Sequence, residues 1–131
     1  MENSLTSVGY VALGGSIGST IRFLITKTID AHLPLTVSAG TILINVFGSF
    51  LAGVLVGYWG GSVQQIPSET RLLLLTGLLG GFTTFSAFSI ECVAISRSES
   101  LFFSLFYVLM HVIGSVVAAF FGMYLSNRLL N

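Results

Sequence analysis

Four long stretches of the chain contain no Asp, Glu, Lys or Arg, and this pattern constrains the fold more than any other feature. They cover residues 3–21, 31–68, 72–90 and 100–127. A helix needs about 20 consecutive apolar residues to cross a hydrocarbon core about 30 Å thick. Only 8% of the residues are charged, against about 25% in average soluble domains. The sequence therefore predicts an all-α integral membrane protein.

Turn-forming residues divide the apolar stretches into four predicted transmembrane helices. Pro34, Pro67 and the polar run 96–100 mark three loops, because helices tend to stop at such positions. The predicted spans are roughly 5–29, 36–59, 69–96 and 101–126. Residues 1–131 are treated as one four-helix transmembrane domain.

Neither an enzyme nor a nucleic-acid-binding protein is predicted. The polar loops are too short to hold a catalytic domain, and no set of nucleophile, base and orienting residue is visible. The net charge is zero, and no basic patch suited to nucleic acid is present in the sequence.

The positive charges are nearly balanced between the two predicted sides of the membrane. An even number of spans puts both termini on one side, which carries Arg71 and Arg128, whereas the opposite side carries Lys27 and Arg97. Proteins with one fixed orientation carry an excess of Lys and Arg on the cytoplasmic side. The balance favours dual topology, and hence an antiparallel pair of chains.

Small residues recur at a spacing of four, which lets transmembrane helices approach each other closely. The sets are Gly14/Gly18, Gly53/Gly57, Gly77/Gly81 and Gly114/Ala118/Gly122. Packing within one chain and packing between two chains both use such faces, so the pattern leaves the two alternatives open.

The third predicted span contains an interruption, the sequence GGFTTF at residues 80–85. Each glycine weakens a helix by about 1 kcal/mol relative to alanine, and threonine side chains compete for local backbone groups. The stretch predicts a helix broken near the bilayer midplane. Backbone freed there survives only when it is buried in protein or lines a polar cavity. Freed carbonyls suit a cation; a gentle glycine kink is the alternative.

Three side chains near the break are candidates for ion contact. The rings of Phe85 and Phe88 present edges of positive quadrupole, which attract a small anion, although most phenylalanines are core or lipid-facing. Asn45 is the only Asn, Gln or charged residue within the second span. It suits either a pathway or a hydrogen bond between helices.

Ionisable and hydroxyl side chains supply further candidates. Arg22 suits either the headgroup region or an anion-attracting vestibule. Glu91 suits a proton or cation site, or a pair with Arg97. Tyr107, His111 and Ser115 form one polar stripe on the fourth span; no second histidine or cysteine stands at metal-ligand spacing.

Three motifs, taken in order, resemble those of the small fluoride channels of the Fluc or CrcB family. They are GGSIGSTIR at residues 14–22, GTILINVFGSF at 40–50 and GLLGGFTTFSAFSIE at 77–91. The resemblance covers essentially the whole chain. It implies a fluoride-selective channel of the bacterial inner membrane that lets fluoride leave the cytoplasm passively and protects the cell from it.

The resemblance also implies an assembly and a cofactor. The assembly is an antiparallel dual-topology homodimer in lipid with two fluoride pathways; some members of the family pair two related chains, so a heterodimer is the alternative. The cofactor is a structural Na⁺ at the dimer centre. It would be held by the backbone carbonyls of Gly80 and Thr83 from each chain.

The resemblance assigns to the fluoride pathway several hydrogen-bond donors, two aromatic rings that offer their edges, and one basic residue near the entrance. They are Asn45, Phe85, Phe88, Ser86, Ser115, Thr41 and Arg22. Two positions depart from the family pattern: Ala87 replaces a frequent threonine, and His111 replaces a frequent serine.

Two other functions are carried as alternatives. A small proton-coupled exporter of cationic compounds needs a membrane carboxylate, and Glu91 is the candidate. A non-transporting assembly subunit accounts for the small-residue faces but leaves the interrupted third span unexplained.

Overall fold

The computed structural model describes residues 4–33 and 38–129 and is helical almost throughout. Pro34 and the first residues of the predicted second span lie outside the described residues. The helices are α1 (Ser4–His32), α2 (Ala39–Tyr58), α3 (residues 68–82), α4 (Phe85–Ser98) and α5 (Leu101–Leu129), with a 3₁₀ turn at Val63–Gln65.

Four segments of the described chain are long and apolar enough to cross a membrane. They are Ser4–His32, Ala39–Tyr58, Ser68–Ser98 and Leu101–Leu129. The third combines α3 and α4. Many large apolar side chains on these helices point outward, Phe102 and Phe120 among them, as lipid-facing side chains do. The prediction of an all-α protein with four membrane-spanning helices is confirmed.

The third span is interrupted at Thr83 and Thr84, as the sequence predicts. The helical backbone ends at Phe82, and both threonines are extended, with φ/ψ of −86°/162° and −149°/120°. Thr84 then caps α4, because its hydroxyl accepts from the backbone N–H of Ala87. Upstream of the break, Arg71–Leu79 is π-helical, a feature that the sequence analysis did not predict.

The two glycines of the interruption remain helical, and Gly81, like Gly77 one turn earlier, packs closely against α1. A Cβ added to Gly81 would lie 2.6 Å from the carbonyl oxygen of Gly15, and one added to Gly77 would lie 3.0 Å from the Cα of Gly14. The backbones of α1 and α3 therefore touch. Glycine on both helices permits this approach, and the threonines, not the glycines, end the helix.

The helices α2 and α5 use their small residues in the same way. A Cβ on Gly53 would collide with the backbone of Ala119, and one on Gly122 would collide with the backbone of Phe50. The Cβ of a residue at position 57 would lie 2.9 Å from the Cβ of Ser126. These small-residue faces pack against other helices of the same chain. This favours packing within one chain over packing between two chains for them.

Replacement of Gly18 by alanine is expected to destabilise the fold, whereas Gly9→Ala is not. A Cβ at position 18 would collide with the backbone of Leu78, but one at position 9 meets nothing within 4 Å. Overpacking typically costs about 1–3 kcal/mol, whereas Gly→Ala in an open helix gains about 1 kcal/mol. Thermal unfolding in detergent measures both variants. Equal midpoints for the two variants would contradict the close contact of α1 with α3.

Candidate functional site

The site is built around a reciprocal pair of hydrogen bonds between Asn45 and the break. The backbone N–H of Thr84 donates to Asn45 Oδ1 over 2.8 Å, and Asn45 Nδ2 donates to the carbonyl of Thr84 over 2.9 Å. Backbone groups in the hydrocarbon region must find partners inside the protein. The amide of α2 therefore takes the place of the helical bonds that the third span lacks.

This arrangement releases two carbonyls from their helical donors. In an unbroken α-helix, the N–H of Thr84 would bond the carbonyl of Gly80, and that of Ala87 would bond the carbonyl of Thr83. Here the first N–H donates to Asn45 and the second to the hydroxyl of Thr84, over 3.2 Å. The oxygens of Gly80 and Thr83 are the kind of ligand that hard cations take. Both residues line a groove of about 210 Å³, and they fit a small cation.

A third carbonyl at the break is bound by Arg22. Its Nε donates to the carbonyl oxygen of Gly81 over 3.0 Å, and the side chain is half-buried. From the sequence, Arg22 suited either the lipid headgroup region or an anion-attracting vestibule. In the structure it joins α1 to the end of α3.

On the other side of the break lies a cavity of about 300 Å³ that is open to one side. It brings together four of the predicted pathway residues, namely Asn45, Phe85, Phe88 and Ser115. The other lining residues are Ser49, Thr83, Thr84, His111, Val112 and Val116. Thr83 lines both the cavity and the groove, so the two features share one wall.

The aromatic residues of the cavity differ in how they are held. Phe88 is 7% exposed, and its ring centroid lies 4.5 Å from that of His111 and 6.0 Å from that of Tyr107. Phe85 lies 5.4 Å from Phe88 but is 77% exposed. One ring is thus fixed by its neighbours, and the other stands at the open side of the cavity.

Three of the predicted pathway residues, Arg22 among them, lie away from the cavity lining. Ser86 is exposed, with its hydroxyl 3.3 Å from that of Thr84. Thr41 is buried, with its hydroxyl oxygen 2.8 Å from Oε1 of Glu91. Their roles in a pathway stay predictions.

Within the described residues, the carboxyl group of Glu91 forms no ion pair with Arg97 or another cation, and it joins a row of hydroxyl groups. The hydroxyl of Tyr107 donates to its second oxygen. The hydroxyl of Thr41 also lies 2.9 Å from that of Ser38, which donates to Asp30 over 2.7 Å. Sequence reasoning missed this row. The spacing of Ser38 and Thr41, which is that of a helix N-cap, was the one available signal.

This fold and site define a class of protein: small multi-pass membrane proteins with an interrupted span and an uncharged cavity. Within that class the chain belongs to the CrcB family. The profile described as CrcB-like protein, Camphor Resistance (CrcB), matches residues 9–123.

Several curated relatives span nearly the same length as this chain, and each bears the name fluoride-specific ion channel FluC. The protein of Hyphomonas neptunium is 40% identical over 119 residues, which is 91% of this chain and 94% of the relative. That of Agrobacterium fabrum is 38% identical over 129 residues, 95% of this chain and 99% of the relative. That of Aquifex aeolicus is 38% identical over 120 residues, with 91% and 95% covered.

Replacement of Asn45 by alanine is expected to unfold or strongly destabilise the protein. It leaves the N–H and the carbonyl of Thr84 without their partner, and each unpaired buried group costs about 1–3 kcal/mol. Ser49→Ala is the matched control, because Ser49 donates only to the carbonyl of Asn45 within the same helix. Unfolding in detergent compares the two variants. A small and equal loss of stability in both would contradict the role given to the amide.

Proposed function

We propose that this chain forms a channel through which fluoride leaves the cytoplasm passively, so that the cell is protected from it. The observation that carries the proposal is the cavity beside the break, lined by Asn45, Phe85, Phe88 and Ser115. Its chemistry suits a small anion, and relatives that span the same length bear the name of a fluoride-specific ion channel.

Fluoride is small and strongly hydrated, so a selective path must replace its water with close donors. Asn45 has two amide hydrogens, of which one goes to Thr84 and the other remains for an anion. The hydroxyl of Ser115 and the ring edges of Phe85 and Phe88 add donors without charge. Donors without charge bind the ion strongly enough for it to enter and weakly enough for it to leave, which conduction requires.

We propose that the working channel is an antiparallel homodimer in the lipid bilayer with two fluoride pathways. The support is that Phe85 is 77% exposed at the open side of the cavity, where a second copy would cover it. The balance of Lys and Arg between the two sides agrees with chains inserted in opposite orientations. A heterodimer with a related chain meets the same requirements and is the alternative.

The cofactor of this proposal is one Na⁺ held by the carbonyls of Gly80 and Thr83 from each copy. These are the carbonyls whose helical donors are diverted to Asn45 and Thr84. When bound, Na⁺ supplies positive potential near the pathway without a titratable group. The chain's own part is to keep those oxygens free.

The alternative of a proton-coupled exporter centred on Glu91 receives no support. The relatives bear the name of a channel, and both carboxylate oxygens of Glu91 lie against hydroxyl groups, those of Thr41 and Tyr107.

Liposomes that carry the purified protein are expected to lose internal fluoride rapidly and to retain chloride. Phe85→Ile and Phe88→Ile are each expected to reduce fluoride efflux sharply, because isoleucine has no ring edge to offer the ion. Ion-selective electrodes follow both anions in parallel.

Phe102→Ile is the matched control, since Phe102 is an exposed ring at the start of α5. All variants are first shown to be folded and dimeric. Wild-type flux in both cavity variants would remove the ring edges from the mechanism, and absence of fluoride flux from the folded wild type would overturn the channel.

Replacement of Na⁺ by a bulky organic cation is expected to weaken the dimer or its fluoride flux. The carbonyls of Gly80 and Thr83 would then have no cation between the two copies. Size-exclusion chromatography and efflux, each with and without Na⁺, measure the two effects. Indifference of both to Na⁺, after exhaustive exchange, would contradict the proposed cofactor.

A further inference from the structure

Five side chains form one continuous row of oxygen contacts that links α1 to α5. The row runs Asp30–Ser38–Thr41–Glu91–Tyr107. It has four contacts between neighbouring side chains, and each needs one hydrogen to be a hydrogen bond. The hydroxyls of Ser38, Thr41 and Tyr107 supply three hydrogens. If both carboxyl groups are ionised, one contact has no hydrogen.

The contact that lacks a hydrogen involves Thr41. Its hydroxyl oxygen lies 2.9 Å from Ser38 Oγ and 2.8 Å from Glu91 Oε1, but it carries a single hydrogen. Ser38 cannot supply the missing one, because it donates to Asp30. Two acceptors facing each other at this distance in a low-dielectric region would be unfavourable.

We propose that the row binds one additional proton and that Glu91 carries it. Glu91 then donates to Thr41, Thr41 to Ser38, and Ser38 to Asp30, while Tyr107 donates to the other oxygen of Glu91. Every contact has its hydrogen, and the two carboxyl groups carry one negative charge between them. The row is thus a binding site for a proton.

The surroundings of the two carboxyl groups assign the proton to Glu91. Asp30 also accepts from the backbone N–H of Gly40 over 3.0 Å, at the N-terminus of α2, where the helix dipole favours a negative charge. Glu91 lies within the third span, where an uncompensated charge is expensive, and its partners Thr41 and Tyr107 are both buried.

In the part of the chain that the structure describes, no other titratable group neutralises Glu91 by a direct pair. Cys92 follows it on α4, and His111 on α5 contacts the ring of Tyr107, with 4.4 Å between the centroids. On α1, the ammonium group of Lys27 lies over the ring of Phe23, 5.6 Å from its centre.

A consequence for transport rests on the proposed function. Glu91 reaches the cavity through Tyr107, whose ring adjoins Phe88 and His111. Loss of the proton would place a negative charge near the path of an anion. While the proton is bound, that charge is absent from the path. Glu91→Gln is therefore expected to keep fluoride flux, because its amide is neutral and donates to Thr41.

The test is infrared spectroscopy of the reconstituted protein at neutral pH, in which a protonated carboxyl group has its own carbonyl band. The band is expected in the wild type and in Glu99→Gln, a matched control at an exposed carboxylate. Glu91→Gln should lose it. Absence of the band from the folded wild type would overturn the proposal, since the hydrogen of Thr41 would then be shared by two acceptors. A shift of the band on ¹³C labelling of aspartate carboxyl groups, but not on labelling of glutamate carboxyl groups, would overturn the assignment to Glu91.

Fluoride efflux measured beside the infrared spectra separates this proposal from the channel itself. Absence of fluoride flux would contradict the function and leave the infrared result as it stands. Flux without a carboxylic acid band would contradict the proton site and leave the channel in place.

Discussion

The pairing of Asn45 with the backbone of Thr84 is the contact on which both parts of the site depend. A helix cannot be interrupted within a bilayer unless other groups bond the backbone that it frees. One amide on α2 does this with a donor and an acceptor at once. Because the N–H of Thr84 donates to Asn45, the carbonyl of Gly80 lacks its helical donor. The cavity that Asn45 lines and the freed carbonyl thus depend on the same pair of hydrogen bonds.

Arg22 and Glu91 both have partners within the protein, which leaves the cavity with weak donors. Arg22 is bound to the carbonyl of Gly81, and Glu91 is bound to hydroxyl groups. The cavity is lined by an amide, hydroxyls, rings and one histidine. A lining without a fixed positive charge does not hold an anion tightly, and this agrees with a path for conduction better than with a storage site.

The spans and the break could be predicted because their signals are local. Uncharged runs set the four helices, and the threonines at 83 and 84 set the interruption. The contacts that build the site join distant residues: Asn45 and Thr84 are 39 positions apart, Thr41 and Glu91 are 50 apart, and Arg22 and Gly81 are 59 apart. No periodicity records such pairs, and residue type alone left each side chain with two roles. The π-helical turn has no sequence signature of its own, and the packing role of Gly81 required the position of α1.

The interruption also divides the third span between two sets of neighbours. Residues 68–82 lie mainly against α1, whereas α4 lies mainly against α5. The two halves are joined through two extended residues and one amide. A substitution in one half is therefore expected to leave the packing of the other half unchanged. Substitutions that reshape the aromatic side of the cavity act on α4 and α5. They leave the glycine contact between α1 and α3 untouched. The sequence of the anion path can therefore diverge without altering the glycine contact that sets the distance between α1 and α3.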